Sequence, residues 1–186
     1  PWFYFYGSLI AFLFTGAGLL ASFFHLGRPE RAWRSAARWR TSWLSREVIV
    51  LPAFMGTTLL YAMVHFLHLG EALATLPSGA AIDATLLVGL AGVVLAVALF
   101  VCTGMIYACL PFLREWHSPL TVLNFTLLGG ASGFTLAAAF AGVAAPTLTP
   151  FFGTWALVLL GLALVSRGSS LLRNARLKPR STIQTA

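Results

Sequence analysis

The stretch from His25 to Glu47, HLGRPERAWRSAARWRTSWLSRE, separates two long apolar runs. It carries six arginines, Arg28, Arg31, Arg34, Arg38, Arg40 and Arg46, against two acids, Glu30 and Glu47. An apolar run that ends on an ionisable His and another that opens on an ionisable Glu place both groups at a membrane surface, or in the service of a site there. Gly27 can take the left-handed position after a last helical turn and Pro29 cannot continue a helix, so the first run stops near Leu26. Thr41 or Ser42 can cap the helix that follows, and Glu47 then lies about one turn inside it, where the helix dipole favours a carboxylate. Between them, Arg31, Arg34 and Arg38 fall at i, i+3 and i+7. That spacing fits a short helix lying in the interface, or equally a basic loop that contacts lipid phosphates.

The rest of the chain follows from this boundary. The 186 residues are 59% hydrophobic and 9% charged, with a mean hydropathy of +0.86. Soluble domains carry about 25% charged residues. Several runs exceed the roughly 18 apolar residues that span a bilayer. The expected fold is therefore an all-α, polytopic transmembrane bundle, one integral-membrane domain over 1–186. Its five spans fall at about 2–26, 43–69, 84–113, 120–144 and 151–172, with breaks near 27–42, 70–82, 113–119 and 145–150. Trp-Phe-Tyr-Phe-Tyr at the start of the first span is an aromatic interfacial belt. Pro52 can kink the second span, and Gly129 and Gly133 form one GxxxG close-packing signal in the fourth. The chain begins at Pro1 and not at Met, as a piece of a longer protein would.

All twelve Lys and Arg residues lie after the first span, between the third and fourth, or near the end of the fifth and beyond. Because successive spans alternate sides, every cation falls on one side. The positive-inside rule makes that side cytoplasmic in a bacterial inner membrane, including the 27–42 loop and the 173–186 tail. The net charge of +7 thus reports topology, and nucleic acid is not an expected partner. Cys102 and Cys109, seven residues apart, share a helical face at roughly 10 Å along the axis, too far for a disulfide, and are expected to pack. No CxxC, Walker, Rossmann or zinc pattern is present, so no metal site is expected. His65 and His68 sit at the far end of the second span with no histidine at matching depth on another span, which argues against a haem.

On the cytoplasmic side stand His25, Glu47, Arg114, Glu115 and His117. A quinone needs hydrogen-bond donors at its carbonyls and a group that exchanges protons, which His and a carboxylate supply. On spacing alone these residues can equally border the headgroups. A transporter or a purely structural membrane protein is also open, although a transporter calls for broken helices and polar groups near mid-membrane.

Phe24-His25-Leu26-Gly27-Arg28-Pro29 with Arg31-Ala32-Trp33, and Ser42-Trp43-Leu44-Ser45-Arg46-Glu47-Val48, resemble two motifs of the dimethyl sulfoxide reductase membrane-anchor family. Pro111-Phe112-Leu113-Arg114-Glu115-Trp116-His117-Ser118-Pro119 and Leu177-Lys178-Pro179-Arg180-Ser181-Thr182 are similar too. The resemblance covers most of the chain. It implies an anchor of about eight helices, with some missing here. Such an anchor holds an iron–sulfur electron-transfer subunit and a molybdopterin catalytic subunit at the membrane and exchanges electrons with ubiquinone or menaquinone, without a cofactor of its own. The family's quinol-site His and Glu fall on His25 and Glu47, and its accompanying Arg on Arg31. Arg28, Trp43, Arg46 and Tyr107 join the expected quinone site by proximity and chemistry. Arg31, Arg34, Arg38 and Arg40 are the expected docking residues for the iron–sulfur subunit. Because the motif loop is the basic loop, the partner subunits should be cytoplasmic. That looks more like a sulfite dehydrogenase anchor, which passes electrons to quinone, than like a dimethyl sulfoxide reductase anchor that oxidises quinol.

Overall fold

The computed structural model describes residues 2–24, 29–70, 72–75 and 81–177. Five helices cross the molecule: α1 (Trp2–Phe24), α2 (Trp43–Phe66), α3 (Ala84–Ala108), α4 (Pro119–Ala144) and α5 (Thr149–Ala175). Each is long and apolar enough to cross a membrane. Their contacts fix an antiparallel order. Tyr4 in the first turns of α1 stacks on His65 at the end of α2 (ring centroids 5.0 Å apart), and Phe3 stacks on Phe140 at the end of α4 (5.2 Å). At the other end, Glu47 of α2 meets Thr103 of α3, and Arg173 of α5 meets the α3–α4 connection. All the described Lys and Arg side chains lie toward this second end, called here the basic end.

The helix boundaries have local causes. Ser42 caps α2 by accepting from the Ser45 N–H (3.3 Å), and Asp83 caps α3 by accepting from the Leu86 N–H (2.7 Å) and the Thr85 hydroxyl (2.7 Å). Ser118 caps α4 ahead of Pro119, which needs no N–H in a first turn. α2 runs through Pro52 unbroken and stops at Phe66, three residues short of expectation. There His68 takes the left-handed conformation (φ 55°) while the Leu69 N–H bonds the Val64 carbonyl (3.0 Å), the six-to-one closure of a Schellman turn. α3 ends at Ala108, just before Pro111, which has no N–H to continue the helix, and the Nδ1–H of His117 donates to the freed Ala108 carbonyl (2.7 Å). α5 extends to Ala175, past the expected end.

Three further expectations change. The 70–82 connection is not plain loop: Ala72–Thr75 (β1) pairs antiparallel with Ala81–Asp83 (β2), a short ribbon that leads into α3. The basic connection, expected as a short helix or equally a basic loop, is a 3-10 helix over Pro29–Arg38. At three residues per turn Arg31 and Arg34 stack on one ridge, and Arg38 lies about 120° away. Of the GxxxG pair, a Cβ at Gly129 would strike the Phe100 ring, whereas one at Gly133 would meet nothing within 4 Å.

The interior is stitched by small residues. Ala62, Cys102, Ala108, Ala131, Ala141, Ala156 and Ala163 are buried, while large apolar side chains such as Phe24, Leu157 and Val165 face outward. This is the packing of helices in lipid, where close backbone approach replaces hydrophobic collapse. Cys102 belongs to this interior, but Cys109 is exposed at the end of α3 and does not pack as expected.

Candidate functional site

Polar residues of four helices share one helical face each and converge at the basic end. Glu47 and Leu51 lie one turn apart on α2. Leu99, Phe100, Thr103 and Tyr107 line one stripe of α3, and Thr121, Asn124, Phe125, Leu128 and Ser132 one stripe of α4. Arg167, Ser170 and Asn174 follow at i, i+3 and i+7 on α5. With Glu115 and Trp116 of the α3–α4 connection, these residues line a half-open cavity of about 880 Å³. That is within the size range of small-molecule sites.

Glu47, half-buried, is oriented toward α3, where the Thr103 hydroxyl donates to its Oε1. The same hydroxyl lies 3.0 Å from the Leu99 carbonyl. Its single proton can serve either acceptor. When Glu47 is ionised, Thr103 donates to it; when Glu47 is protonated, its O–H can donate to Thr103, whose own proton turns to Leu99. The pair is therefore satisfied in both protonation states. Asn124, also on the cavity wall, is 6% exposed, and its Oδ1 has no hydrogen-bond partner among the described residues. A buried polar atom left unpaired costs about 1–3 kcal/mol, so such a group marks a place for water or a ligand. Tyr107 is set by aromatic contacts, edge-on to Trp116 (4.7 Å) and stacked on Phe125 (5.5 Å).

The expected site residues divide. Glu47 and Tyr107 line the cavity. Arg46 turns away from it. Its Nε donates to the Trp39 carbonyl (3.0 Å), its Nη2 to the Arg40 carbonyl (2.9 Å), and its guanidinium covers the Trp43 ring at 4.2 Å. Arg46 and Trp43 thus tie the basic connection to the start of α2. Arg31, Arg34, Arg38 and Arg40 are all exposed, with Arg34 over Trp33 (5.4 Å) and Arg40 over Trp39 (5.3 Å). His25 and Arg28 lie outside the described residues. Arg173, at the end of α5, donates to the carbonyls of Arg114 (3.1 Å) and His117 (3.1 Å) and fixes the connection that roofs the cavity. Sequence reasoning passed over Thr103, Asn124, Arg167, Ser170 and Asn174. The available signal was their spacing, polar residues at helical intervals within apolar runs, which face the bundle interior.

The donor set suits a quinone headgroup, a flat ring whose oxygens accept as carbonyls and donate as hydroxyls. Hydroxyl, amide and carboxyl groups that can do both stand around an aromatic-walled space.

Comparison with known proteins agrees with the motifs. The family model described as DMSO reductase anchor subunit (DmsC) matches residues 5–186. A sulfite dehydrogenase subunit of Allochromatium vinosum is 56% identical over 184 residues, which cover 99% of this chain and 57% of that protein. The anaerobic dimethyl sulfoxide reductase chain YnfH of Escherichia coli K12 is 32% identical over 185 residues, covering 93% of this chain and 61% of that one. The chain thus spans less than two thirds of the length of these curated relatives. No solved structure matches it. With five apolar helices and a family match across almost its whole length, this membrane chain belongs to the DMSO reductase anchor subunit (DmsC) family.

Proposed function

We propose that the chain forms the quinone-reactive part of the membrane anchor of a molybdopterin and iron–sulfur complex that oxidises sulfite in the cytoplasm. The half-buried Glu47 carboxyl, facing a ligand-sized cavity at the basic end, carries the quinone part of this reading. The 56% identity to a sulfite dehydrogenase subunit supports the substrate, and the gathering of the cations at one end supports the cytoplasmic side. The 32% identity to a dimethyl sulfoxide reductase chain supports a second reading, an anchor that oxidises quinol for a reductase.

In the first reading, sulfite and water give sulfate, two protons and two electrons on the partner subunits. Quinone, when bound, accepts two electrons and two protons. The residues of this chain hold the headgroup and manage the protons. His25 donates to one carbonyl, with Arg28 and Arg31 close to it in sequence. Glu47 exchanges protons with the cytoplasm, its Thr103 partner following the change. Tyr107 walls the ring. Trp43 and Arg46 hold the start of α2 against the basic connection, and Arg31, Arg34, Arg38 and Arg40 dock the iron–sulfur subunit so that its last cluster lies within electron-transfer reach.

The test uses membranes that hold the complete complex. His25→Ala and Glu47→Gln should each slow sulfite-to-quinone turnover, while assembly and turnover with a soluble artificial acceptor stay normal. Normal quinone kinetics in both variants would remove the site assignment. Copurification of the anchor with neither molybdenum nor tungsten would remove the complex.

A further inference from the structure

Resting on that reading, we propose that the quinone headgroup binds in the cavity between α2, α3, α4 and α5, where Thr103 and Asn124 are direct contacts, and not in the α1–α2 crevice. Four observations carry this. Glu47 is bonded to α3, so its carboxyl opens onto the α3–α4 side. The walls there are apolar and aromatic, with Leu51, Phe100, Phe125 and Trp116 among them, as a lipophilic ring requires. Asn124 offers a buried acceptor with no partner among the described residues. Gly129 leaves the Phe100 ring its place in the wall, since a Cβ at that position would displace it.

The polar chemistry matches a substrate that changes hydrogen-bonding character. Quinone offers only acceptors and quinol offers two donors. The Asn124 amide can donate from its NH₂ group to a quinone carbonyl and accept at Oδ1 from a quinol hydroxyl. Thr103 and Glu47 have the same double capacity through the proton shift between them. One headgroup oxygen would face Glu47 and Thr103, where its proton comes from, and has a second lone pair for the donor assigned to His25; the other would face Asn124. The remaining ionisable and charged groups on the wall are Tyr107, Glu115 and Arg167. Glu115 lies in the exposed α3–α4 connection and can exchange protons with solution.

Two measurements on membranes with the complete complex test this. The first is steady-state kinetics against a short-chain quinone in Asn124→Leu and Thr103→Val, near-isosteric changes that remove only polar atoms. Each should raise KM for quinone or lower kcat with quinone by roughly tenfold, the loss of one buried hydrogen bond, with artificial-acceptor turnover unchanged. The second is photolabelling with an azidoquinone, followed by mapping of the labelled peptides. Label on α3 or α4, lost in Asn124→Leu, is the expected result. Label confined to 2–47 would overturn the proposal. So would a cavity that labels with a photoreactive fatty acid but not with the quinone, which would make it a lipid site. If Asn124→Leu does not assemble, Thr103→Val and the wild-type labelling decide. Slow quinone turnover in His25→Ala beside normal turnover in Thr103→Val and no label on α3 or α4 would sink this inference and leave the anchor reading standing.

Discussion

Gly104→Ala should be the most damaging small substitution in the bundle. Gly104 is buried on α3, and a Cβ there would stand 2.8 Å from the Cα of Val122 on α4 and 3.4 Å from its Cβ. Carbon atoms pack at about 3.5–4.0 Å, so the two helices would have to part by roughly 0.7–1.2 Å. The obstacle is backbone and cannot turn aside. Overpacking of this kind costs about 1–3 kcal/mol, and a backbone clash lies at the upper end. Replacing a helical Gly by Ala returns about 1 kcal/mol of helix propensity, so the net loss is about 2 kcal/mol. Gly133→Ala is the internal control: with nothing within 4 Å of its Cβ it keeps only the propensity gain. The two variants should therefore differ by about 3 kcal/mol, or roughly 6–12 °C in Tm for a chain of this size. Thermal unfolding of the detergent-solubilised protein, followed by tryptophan fluorescence, reads the difference. Equal melting temperatures would refute the reasoning, because the closeness of α3 to α4 would then not constrain the fold. A loss at Gly133 instead would mean that a further segment packs there.

Replacing Arg31, Arg34, Arg38 and Arg40 together by Gln should release the proposed iron–sulfur partner from membranes, seen by fractionation; retained partner and unchanged turnover would reduce these arginines to topology signals. Arg173→Ala should leave carbonyls of the α3–α4 connection unpaired, with a loss of about 1–3 kcal/mol and faster hydrogen exchange over 110–118, and Arg173→Lys should restore it only in part because an ammonium cannot fork to both Arg114 and His117. The Leu86 N–H, and after it the Thr85 hydroxyl, hold the Asp83 carboxyl below the usual range. Its cap contribution is therefore complete above the unfolded value of about 3.9 and is lost as pH falls through the lower folded value. The Tm difference between wild type and Asp83→Ala should be constant above about pH 5 and shrink below pH 4; a difference that ignores pH would refute the role of the charge.

The helices were legible because lipid imposes a length and an apolar content that chance rarely supplies, and because Arg and Lys stay at one end. Their termini were less so. α3 ends at Ala108, five residues before the expected 113, where Pro111 stops the helix and His117, nine residues away, takes up the freed Ala108 carbonyl, a partner that no local rule marks. The β1–β2 ribbon has strands of four and three residues, too short for alternation to show against an apolar background. The arginine spacing of the basic connection served both helical types: i, i+3 is close to one turn of either, and the 3-10 form separates Arg38 from the other two.

The site was half legible for a related reason. A charge in an apolar chain announces itself, so Glu47 stood out, but the direction in which it turns depends on the rotation of α2 against its neighbours. Glu47 and Leu51 share the cavity face, with Trp43 one turn further out, while Arg46 is rotated away by about 100°. Arg46 is therefore held on backbone carbonyls and Glu47 on Thr103. Thr103 and Asn124 look in the sequence like tolerated polar fillers of apolar helices. They line one cavity, and each lies within two residues of the α3–α4 contact between Gly104 and Val122. A glycine that admits a neighbouring backbone, close to an amide whose oxygen finds no partner there, thus ties the packing of the bundle to the chemistry assigned to it. Loosening the first should change quinone kinetics even where the second is intact.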